Sequence, residues 1–239
     1  QVTFTAVLSR NTDGALLENR SIGFYVNGAL VGTDTTDAAG EASYTWTVDR
    51  PAGSYTLEAR FLGDDWYLDD SDSQPLTVSK ASTTVDLTLS SPTVPYAEDV
   101  TFTAVLSRNT DGALLEGKTV VFYVNNNPVG SDETDENGVA TFTWTANLAA
   151  DTYTVEARFA TDDWYLAASD DETLTVTKPS TTLVLDLSSP TVPYGEDVTF
   201  TATLTQTVGG ALMDNRPIQL WVAGVHVDTR NTINGVATF

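Results

Sequence analysis

Cysteine is absent from this 239-residue chain, and histidine occurs once, at His226. The absence of cysteine excludes disulfide bonds, thiolate zinc sites and cysteine nucleophiles, and a single imidazole excludes any site that needs two. Basic residues are also few: 11 lysines and arginines stand against 33 aspartates and glutamates, for a net charge of −22. This balance argues against nucleic acid and anionic membrane surfaces as partners, because both are bound through clustered basic residues.

Long apolar runs are missing as well. No stretch approaches the roughly 18 residues that a membrane-spanning helix needs, so we predict no insertion into a membrane by this segment. The chain has no signal peptide and opens on Gln1 inside a strand-like pattern, which predicts that it is a piece of something longer. Its hydrophobic fraction of 41% is nevertheless sufficient to build cores.

What the sequence does contain is a repeat with an offset of 98 residues. VTFTAVLSRNTDGALLE runs from Val2 and again from Val100, and VTFTATLTQTVGGALMD starts at Val198. A period of this size is a whole domain rather than a solenoid rung. We therefore predict domain 1 at residues 1–80, without its first strand; domain 2 at 81–178, complete; and domain 3 at 179–239, without its last two strands. The junctions TVSK|ASTT and TVTK|PSTT have no Gly/Ser spacer, which predicts short, stiff linkers.

Each period shows the alternation of β-strands. Apolar residues occupy every second position in VTFTAVL from Val100, VVFYV from Val120 and YTVEARF from Tyr153. Proline-rich and Asn-Gly turn signals separate the segments, and no helical period is sustained. About seven strands per period predict an all-β fold of tandem immunoglobulin-like β-sandwiches.

Longer phrases make a family resemblance visible. SSPTVPYGEDVTFTATL, VVFYVNNNPVG, NGVATFTW and DTYTVEARFATDDWYLAASDDETLTVTKPSTT resemble the bacterial immunoglobulin-like repeat domains of large prokaryotic cell-surface proteins. The sequence pattern of that family includes an Asn-Gly hairpin and a Gly-Asp-aromatic loop before the closing strand. The resemblance implies an extracellular or cell-surface location, a role as stalk, adhesin shaft, fibre or surface-layer component, and no catalytic residues.

The DDWYL loops at 64–68 and 162–166 are the main site candidates. We expect them at the end of each sandwich where the preceding domain arrives. Clustered carboxylates there could supply the oxygen ligands of Ca²⁺, although the spacing is not that of a dedicated calcium loop. A solvated acidic loop is the alternative that we favour. The calcium candidates are Asp64, Asp65, Asp69, Asp70, Asp162, Asp163, Asp170 and Asp171.

Trp66 and Trp164 of the same loops admit two interpretations. They could stack on a polysaccharide or contact a partner protein, or they could fold the loop over the open end of the sandwich together with the neighbouring tyrosine. We favour packing, because aromatic side chains usually bury their area and because binding tips tend to be unique while shaft modules repeat.

Further aromatics lie on the outward phase of their strand, at Tyr25, Tyr123 and Trp221. Arg60 and Arg158 point outward from a neighbouring strand, so we expect arginine to stack on tyrosine across the sheet. A patch for lateral self-association is the alternative. Glu58 and Glu156 should pair with these arginines at the surface, and no concave pair of carboxylates for acid–base chemistry is evident.

Together these features predict a non-catalytic structural segment of an extracellular protein, whose partners are its own neighbouring Ig-like domains and further copies side by side or end to end. The alternative is an adhesin-type module that recognises polysaccharide or a surface protein through the Trp/Asp loops. The predicted cofactor is at most Ca²⁺.

Overall fold

A computed structural model describes all 239 residues. It contains 19 strands. Domain 1 holds β1 (Val2–Val7), β2 (Ser21–Val26), β3 (Ala29–Thr35), β4 (Glu41–Trp46), β5 (Gly53–Phe61) and β6 (Asp70–Val78). Domain 2 holds β7 (Thr83–Leu89), β8 (Thr93–Pro95), β9 (Asp99–Arg108), β10 (Thr119–Val124), β11 (Asn127–Glu133), β12 (Val139–Thr145), β13 (Asp151–Phe159) and β14 (Ala168–Thr177). Domain 3 holds β15 (Thr181–Leu187), β16 (Phe200–Gln206), β17 (Pro217–Val222), β18 (Val225–Asn231) and β19 (Val236–Thr238).

Domain 2 is a sandwich of two sheets, as the alternating pattern predicts. One sheet has the strand order β12-β9-β7, and the other has the order β11-β10-β13-β14-β8. Their inward side chains form one core of 19 buried residues, among them Phe102, Phe122 and Trp144. The alternation along β9, where buried and half-buried residues follow one another, places one face of the strand in this core.

Domain 2 has eight strands rather than about seven, because the segment around Pro92 and Pro95 forms an additional short strand. β8 pairs in parallel with β14, matching Val94 to Val176. The Tyr96 amide continues the ladder by donating to the Thr177 carbonyl at 2.8 Å. A proline at the edge of a sheet costs no ladder bond. The turn between β7 and β8 thus lets the start of the domain contribute to both sheets.

The Asn137–Gly138 turn does not make the hairpin that the family pattern suggests. It connects β11 to β12, and these strands lie in different sheets. Gly138 has a φ of 67°, and a Cβ atom there would meet the Leu106 carbonyl oxygen at 2.7 Å. The turn therefore carries the chain from one sheet to the other at a position where the backbone passes too closely for a side chain.

A buried threonine ties this crossing to the loop before β10. The Thr134 hydroxyl donates to the Leu115 carbonyl at 2.5 Å and accepts from the Lys118 amide at 2.9 Å. Thr36 makes the same two bonds in domain 1, to Leu17 and Arg20. We call this arrangement the threonine clamp.

Domains 1 and 3 repeat parts of the same plan. Domain 1 has the sheets β1-β4 and β3-β2-β5-β6, with a smaller core of seven buried residues around Phe24. Domain 3 has β15-β16-β19 and β17-β18. None of the three domains contains a helix of the length and apolarity that crossing a membrane takes.

Candidate functional site

The DDWYL loop of domain 2 connects β13 to β14 and is organised by Asp162. One carboxylate oxygen accepts from the Trp164 and Tyr165 amides at 2.8 and 2.7 Å, and the other accepts from Lys118 Nζ at 2.6 Å. Partial burial raises the pKa of Asp162, but the Lys118 and amide hydrogen bonds outweigh it, so the pKa lies below its ordinary value. The Lys118 ammonium also lies 5.0 Å from the Tyr165 ring centroid.

Domain 1 reproduces this loop with arginine in place of lysine. Asp64 accepts from the Trp66 and Tyr67 amides at 2.8 Å and pairs with the Arg20 guanidinium at 2.9 Å. The Arg20 guanidinium carbon lies 5.5 Å from the Trp66 ring and 5.4 Å from the Tyr67 ring. The first aspartate of each DDWYL motif is therefore a turn-forming residue with a basic partner.

The domain 2 loop lies against domain 1. The Ala52 amide, from the turn before β5, donates to the Asp163 carbonyl at 3.0 Å. In the linker, the Ala81 amide donates to the Trp164 carbonyl at 2.9 Å, and the Leu166 amide donates to the Ala81 carbonyl at 2.9 Å. Lys80 Nζ adds a bond of 3.1 Å to the Thr161 hydroxyl. We call residues 160–167, with their partners Ala52, Lys80 and Ala81, the junction. Its position agrees with the prediction that this loop lies where the preceding domain arrives.

The two tryptophans differ in exposure because only one loop has a neighbouring domain. Trp164 is 42% exposed at the junction, whereas Trp66 is 73% exposed on domain 1. Tyr67 and Tyr165 pack against the two cores. The tyrosines thus pack against the cores, whereas both tryptophans lie at the surface, and the role of the tryptophans remains a prediction.

The eight calcium candidates do not converge. No group of three or more His, Cys, Asp or Glu side chains is placed to hold a metal ion. Asp70, Asp170 and Asp171 lie in strands β6 and β14 rather than in the loop. Successive strand residues face opposite sides, which separates Asp170 from Asp171, and the Asp170 carboxylate accepts the Leu87 amide at 2.9 Å. The carboxylates of Asp65, Asp69 and Asp163 do not belong to any cluster of three or more potential metal ligands. Calcium binding remains a prediction.

The outward tyrosines carry the arginine stacks that the sequence predicts. The Arg158 guanidinium carbon lies 4.2 Å from the Tyr123 ring centroid, and Arg60 lies 4.4 Å from that of Tyr25. Arg158 also pairs with Glu156 through two bonds of 2.6 Å, which lowers the pKa of Glu156. Each arginine–tyrosine stack forms between residues of a single domain.

In domain 3, Trp221 is exposed, and its ring meets that of His226 edge to face at a centroid distance of 5.2 Å. A contact role for Tyr25, Tyr123 and Trp221 remains a prediction.

A second acidic loop, the NTDG turn of domain 2, has its own basic partner. The Arg108 guanidinium donates to both oxygens of Asp111, at 2.9 and 2.5 Å. These bonds, with the Ala113 amide, lower the pKa of Asp111 from 3.8 to about 2.

A pH titration should show this loop losing its order in acid. Because the folded-state pKa of Asp111 is depressed, its stabilisation is present above the unfolded-state pKa and is lost as the pH falls through the folded value near 2. We expect the carboxyl ¹³C resonance of Asp111 to titrate near 2, with the Ala113 amide signal following it. The Asp111→Asn variant should remove the Ala113 transition. A carboxyl midpoint at 3.8 would contradict the pairing.

Two of the three domains match a family model. The bacterial Ig-like domain (group 3) model matches residues 1–80 and 87–177. The chain belongs to this family. No curated protein matches this Ig-like chain in sequence.

Several solved structures are similar to this Ig-like chain at low sequence identity. A 1.5-MDa bacterial ice-binding adhesin is similar over 99% of this chain and 78% of its own, with 14% identity and a TM-score of 0.35. The D0-D1 domain of intimin is similar over 72% and 89%, with 20% identity and a TM-score of 0.30. The Yersinia pseudotuberculosis adhesin InvE is similar over 73% and 54%, with 16% identity and a TM-score of 0.40.

The sequence identified the DDWYL loop but missed two of its partners. Ala52 and Ala81 contribute only backbone groups to the junction, so no side-chain pattern could mark them. Lys118 could be found from the sequence, because it aligns with Arg20 and Arg216. A basic residue at the same position of all three copies indicates a fixed acidic partner.

Proposed function

We propose that this chain is a non-catalytic shaft segment of an extracellular bacterial surface protein, in which rigid junctions hold Ig-like modules at a set angle. The observation that carries the proposal is the junction. Domain 1 meets the DDWYL loop of domain 2 through the backbone amide of Ala52, and the linker residues Lys80 and Ala81 bond to the same loop. Family membership supports the surface location, since bacterial Ig-like repeats are typical of such proteins.

The backbone hydrogen bonds at the junction are suited to a spacer that holds two modules in a fixed orientation. The donors and acceptors at Ala52, Ala81 and Leu166 belong to the main chain, so they tolerate exchange of the side chains around them. Asp162 fixes the loop carbonyls from inside domain 2. The orientation of one module on the next is thereby coupled to the fold of the second module rather than to a flexible linker.

Removing the carboxylate of Asp162 should loosen this orientation. We expect Asp162→Ala to broaden the distribution of distances between domains 1 and 2, because the Trp164 and Tyr165 amides lose their acceptor and the loop no longer holds its carbonyls towards Ala81. The measurement is pulsed electron–electron double resonance between spin labels attached to Ser43→Cys and Thr141→Cys. Both positions are exposed to solvent. The absence of cysteine makes this labelling specific.

The matched control is Asp64→Ala, which removes the same interactions from the domain 1 loop, where no other domain lies in the structure. Its distance distribution should equal that of the parent chain. Equal widths for both variants would contradict a junction set by the DDWYL loop. Repeating the measurement with millimolar Ca²⁺ and with a chelator examines the calcium prediction in the same samples.

Trp66 supports a second candidate function, an adhesin-type module that binds polysaccharide or a partner protein. Its ring is 73% exposed, with aspartates on either side in the sequence, and exposed aromatic faces can stack on sugars. Affinity electrophoresis in polysaccharide gels separates the two functions. A binding module is retarded and loses the retardation in Trp66→Ala, whereas a shaft migrates alike with and without the ring.

A further inference from the structure

Asn-Gly steps occur at three places in the chain, and the structure holds them in two different ways. Asn27–Gly28 forms the tip of the β2–β3 hairpin, where Val26 pairs with Ala29. Asn137–Gly138 and Asn234–Gly235 carry the chain from one sheet to the other in domains 2 and 3, and we call them the crossing turns. In an Asn-Gly step the glycine nitrogen can attack the side-chain amide carbon of the asparagine, because no Cβ atom hinders its approach.

The glycine nitrogens of the two crossing turns are already engaged. The Gly138 amide donates to the Asp135 carbonyl at 2.9 Å, and the Gly235 amide donates to Asp214 Oδ1 at 2.8 Å. Both glycines are buried, and a Cβ atom on them would meet a neighbouring atom at 2.7 and 2.6 Å respectively. Attack by either nitrogen must therefore break a hydrogen bond and move the backbone inside a packed turn.

The nitrogen of Gly28 has no such restraint. Asn27 and Gly28 are both exposed, and the Gly28 amide makes no hydrogen bond. A Cβ atom on Gly28 would meet nothing within 4 Å. The two residues have φ values of 47° and 79°, as the central pair of a type I′ hairpin turn requires. The tip can therefore rotate its backbone and accommodate a ring without displacing other residues.

The side chain that the nitrogen attacks is polarised by a neighbouring strand. The Thr56 amide, on β5, donates to Asn27 Oδ1 at 2.8 Å. This donor lies on the oxygen that gains negative charge when the side-chain carbon is attacked. A donor in that position lowers the barrier to the attack.

Domain 2 has the same turn with a different second residue. The Thr154 amide donates to Asn125 Oδ1 at 3.0 Å, but Asn126 stands where domain 1 has Gly28. Asn125 and Asn126 are exposed in this domain, which has both of its sheets. Exposure of the turn is thus a property of the module, and the glycine is what distinguishes domain 1.

We propose that Asn27 is a site of spontaneous deamidation in the folded chain. The Gly28 nitrogen loses its proton to hydroxide and attacks the Asn27 side-chain carbon, and ammonia leaves as a cyclic succinimide forms. Water then adds to either carbonyl of the ring and opens it. The product is aspartate in place of Asn27, or isoaspartate, in which the main chain runs through the former side chain. Water is the only co-reactant, and nothing is oxidised or reduced.

The two products differ in their effect on the hairpin. Aspartate keeps an oxygen that accepts the Thr56 amide, so the turn retains its register. Isoaspartate lengthens the main chain within the turn, and the pairing of Val26 with Ala29 is then lost. Because β3 is the edge strand of its sheet, the damage stays in this hairpin and domain 1 remains folded.

The test is to incubate the intact chain at neutral and mildly alkaline pH and to map deamidation by mass spectrometry. Electron-transfer fragmentation distinguishes isoaspartate from aspartate. We expect Asn27 to react first, at a rate that rises with hydroxide concentration, because the attacking nitrogen must lose its proton. Asn137 and Asn234 should react at least about tenfold more slowly, which corresponds to a barrier higher by about 1.4 kcal/mol. In urea, where the turns are lost, the three sites should react at comparable rates.

The matched variant is Gly28→Asn, which gives domain 1 the Asn-Asn turn of domain 2. Asn126 has a φ of 61° in that turn, so the hairpin should be retained, and hydrogen-exchange protection of β2 and β3 verifies this. The added side chain hinders the nitrogen, and deamidation at Asn27 should slow at least about tenfold. Equal rates at Asn27 and Asn137 in the folded chain, or no slowing in the variant, would overturn the proposal.

Hydrogen exchange of aged chains separates the effects of the two products. We expect the amides of β3 to lose protection in proportion to the isoaspartate content, whereas Asn27→Asp should protect β3 like the parent chain. Full protection of β3 in chains that carry isoaspartate would contradict the loss of register.

Discussion

Replacing Phe102 by alanine is expected to lower the free energy of unfolding of domain 2 by about 3–5 kcal/mol. Phe102 is fully buried at the centre of the sandwich. Its ring centroid lies 6.1 Å from Phe122, 6.4 Å from Phe142 and 6.2 Å from Trp144. These three rings come from two strands, β10 and β12, one in each sheet. The surrounding side chains therefore cannot collapse into the space without moving the sheets relative to each other.

Native-state hydrogen exchange of the intact chain measures this effect domain by domain. Amides of β9, β12 and β13 should exchange through an opening that is easier by the stated free energy, while those of β2 and β5 in domain 1 stay unchanged. Thr103→Ala, the next residue and on the outward face, serves as the control. A loss below about 1 kcal/mol for Phe102→Ala would mean that the core is far looser than its packing indicates.

The second large effect is expected at the threonine clamp. Thr134→Val keeps the side-chain shape but removes both hydrogen bonds, leaving the Leu115 carbonyl and the Lys118 amide without this partner. Unsatisfied buried groups cost about 1–3 kcal/mol each, so we expect domain 2 to lose about 2–4 kcal/mol.

The control for the clamp is Thr134→Ser, which retains the hydroxyl and should lose about 1 kcal/mol or less with the methyl group. Thr143→Val supplies a second comparison, because that threonine is exposed on β12. The readout is again hydrogen exchange, at the Lys118 amide and in the strands that flank it. Equal losses for the valine and serine variants would contradict the clamp, because the hydroxyl would then contribute no more than the methyl group.

Strand positions and the tandem repeat were readable from the sequence, because both depend on local patterns. Apolar alternation in VTFTAVL marks β9, and its letter-for-letter return marks β1. The additional strand β8 is not predicted, because a strand of three residues, of which the last is Pro95, is too short to show alternation. The family pattern also suggested a hairpin at Asn137–Gly138, but a turn sequence does not specify whether its two strands remain in one sheet.

The candidate site was less predictable, because its chemistry depends on groups that are distant in sequence. Asp170 accepts an amide 83 residues away, and a cluster of aspartates gives no sign that one of them faces a strand backbone. Trp66 and Tyr67 are adjacent and both amphipathic, so the sequence does not tell which one enters the core. Asp162 is a calcium candidate on the sequence alone, and the turn and ion pair that it makes become visible only in the structure.

The parallel pairing of β8 with β14 determines how domain 2 responds to a pulling force. β8 lies near the beginning of the domain and β14 at its end, and they run side by side through Val94 and Val176. Tension between the two ends of the domain draws these strands along their own axes in opposite directions. The hydrogen bonds between them are then sheared together instead of being peeled apart one after another. The short strand β8 thus gives domain 2 a pair of strands that resists extension by shear.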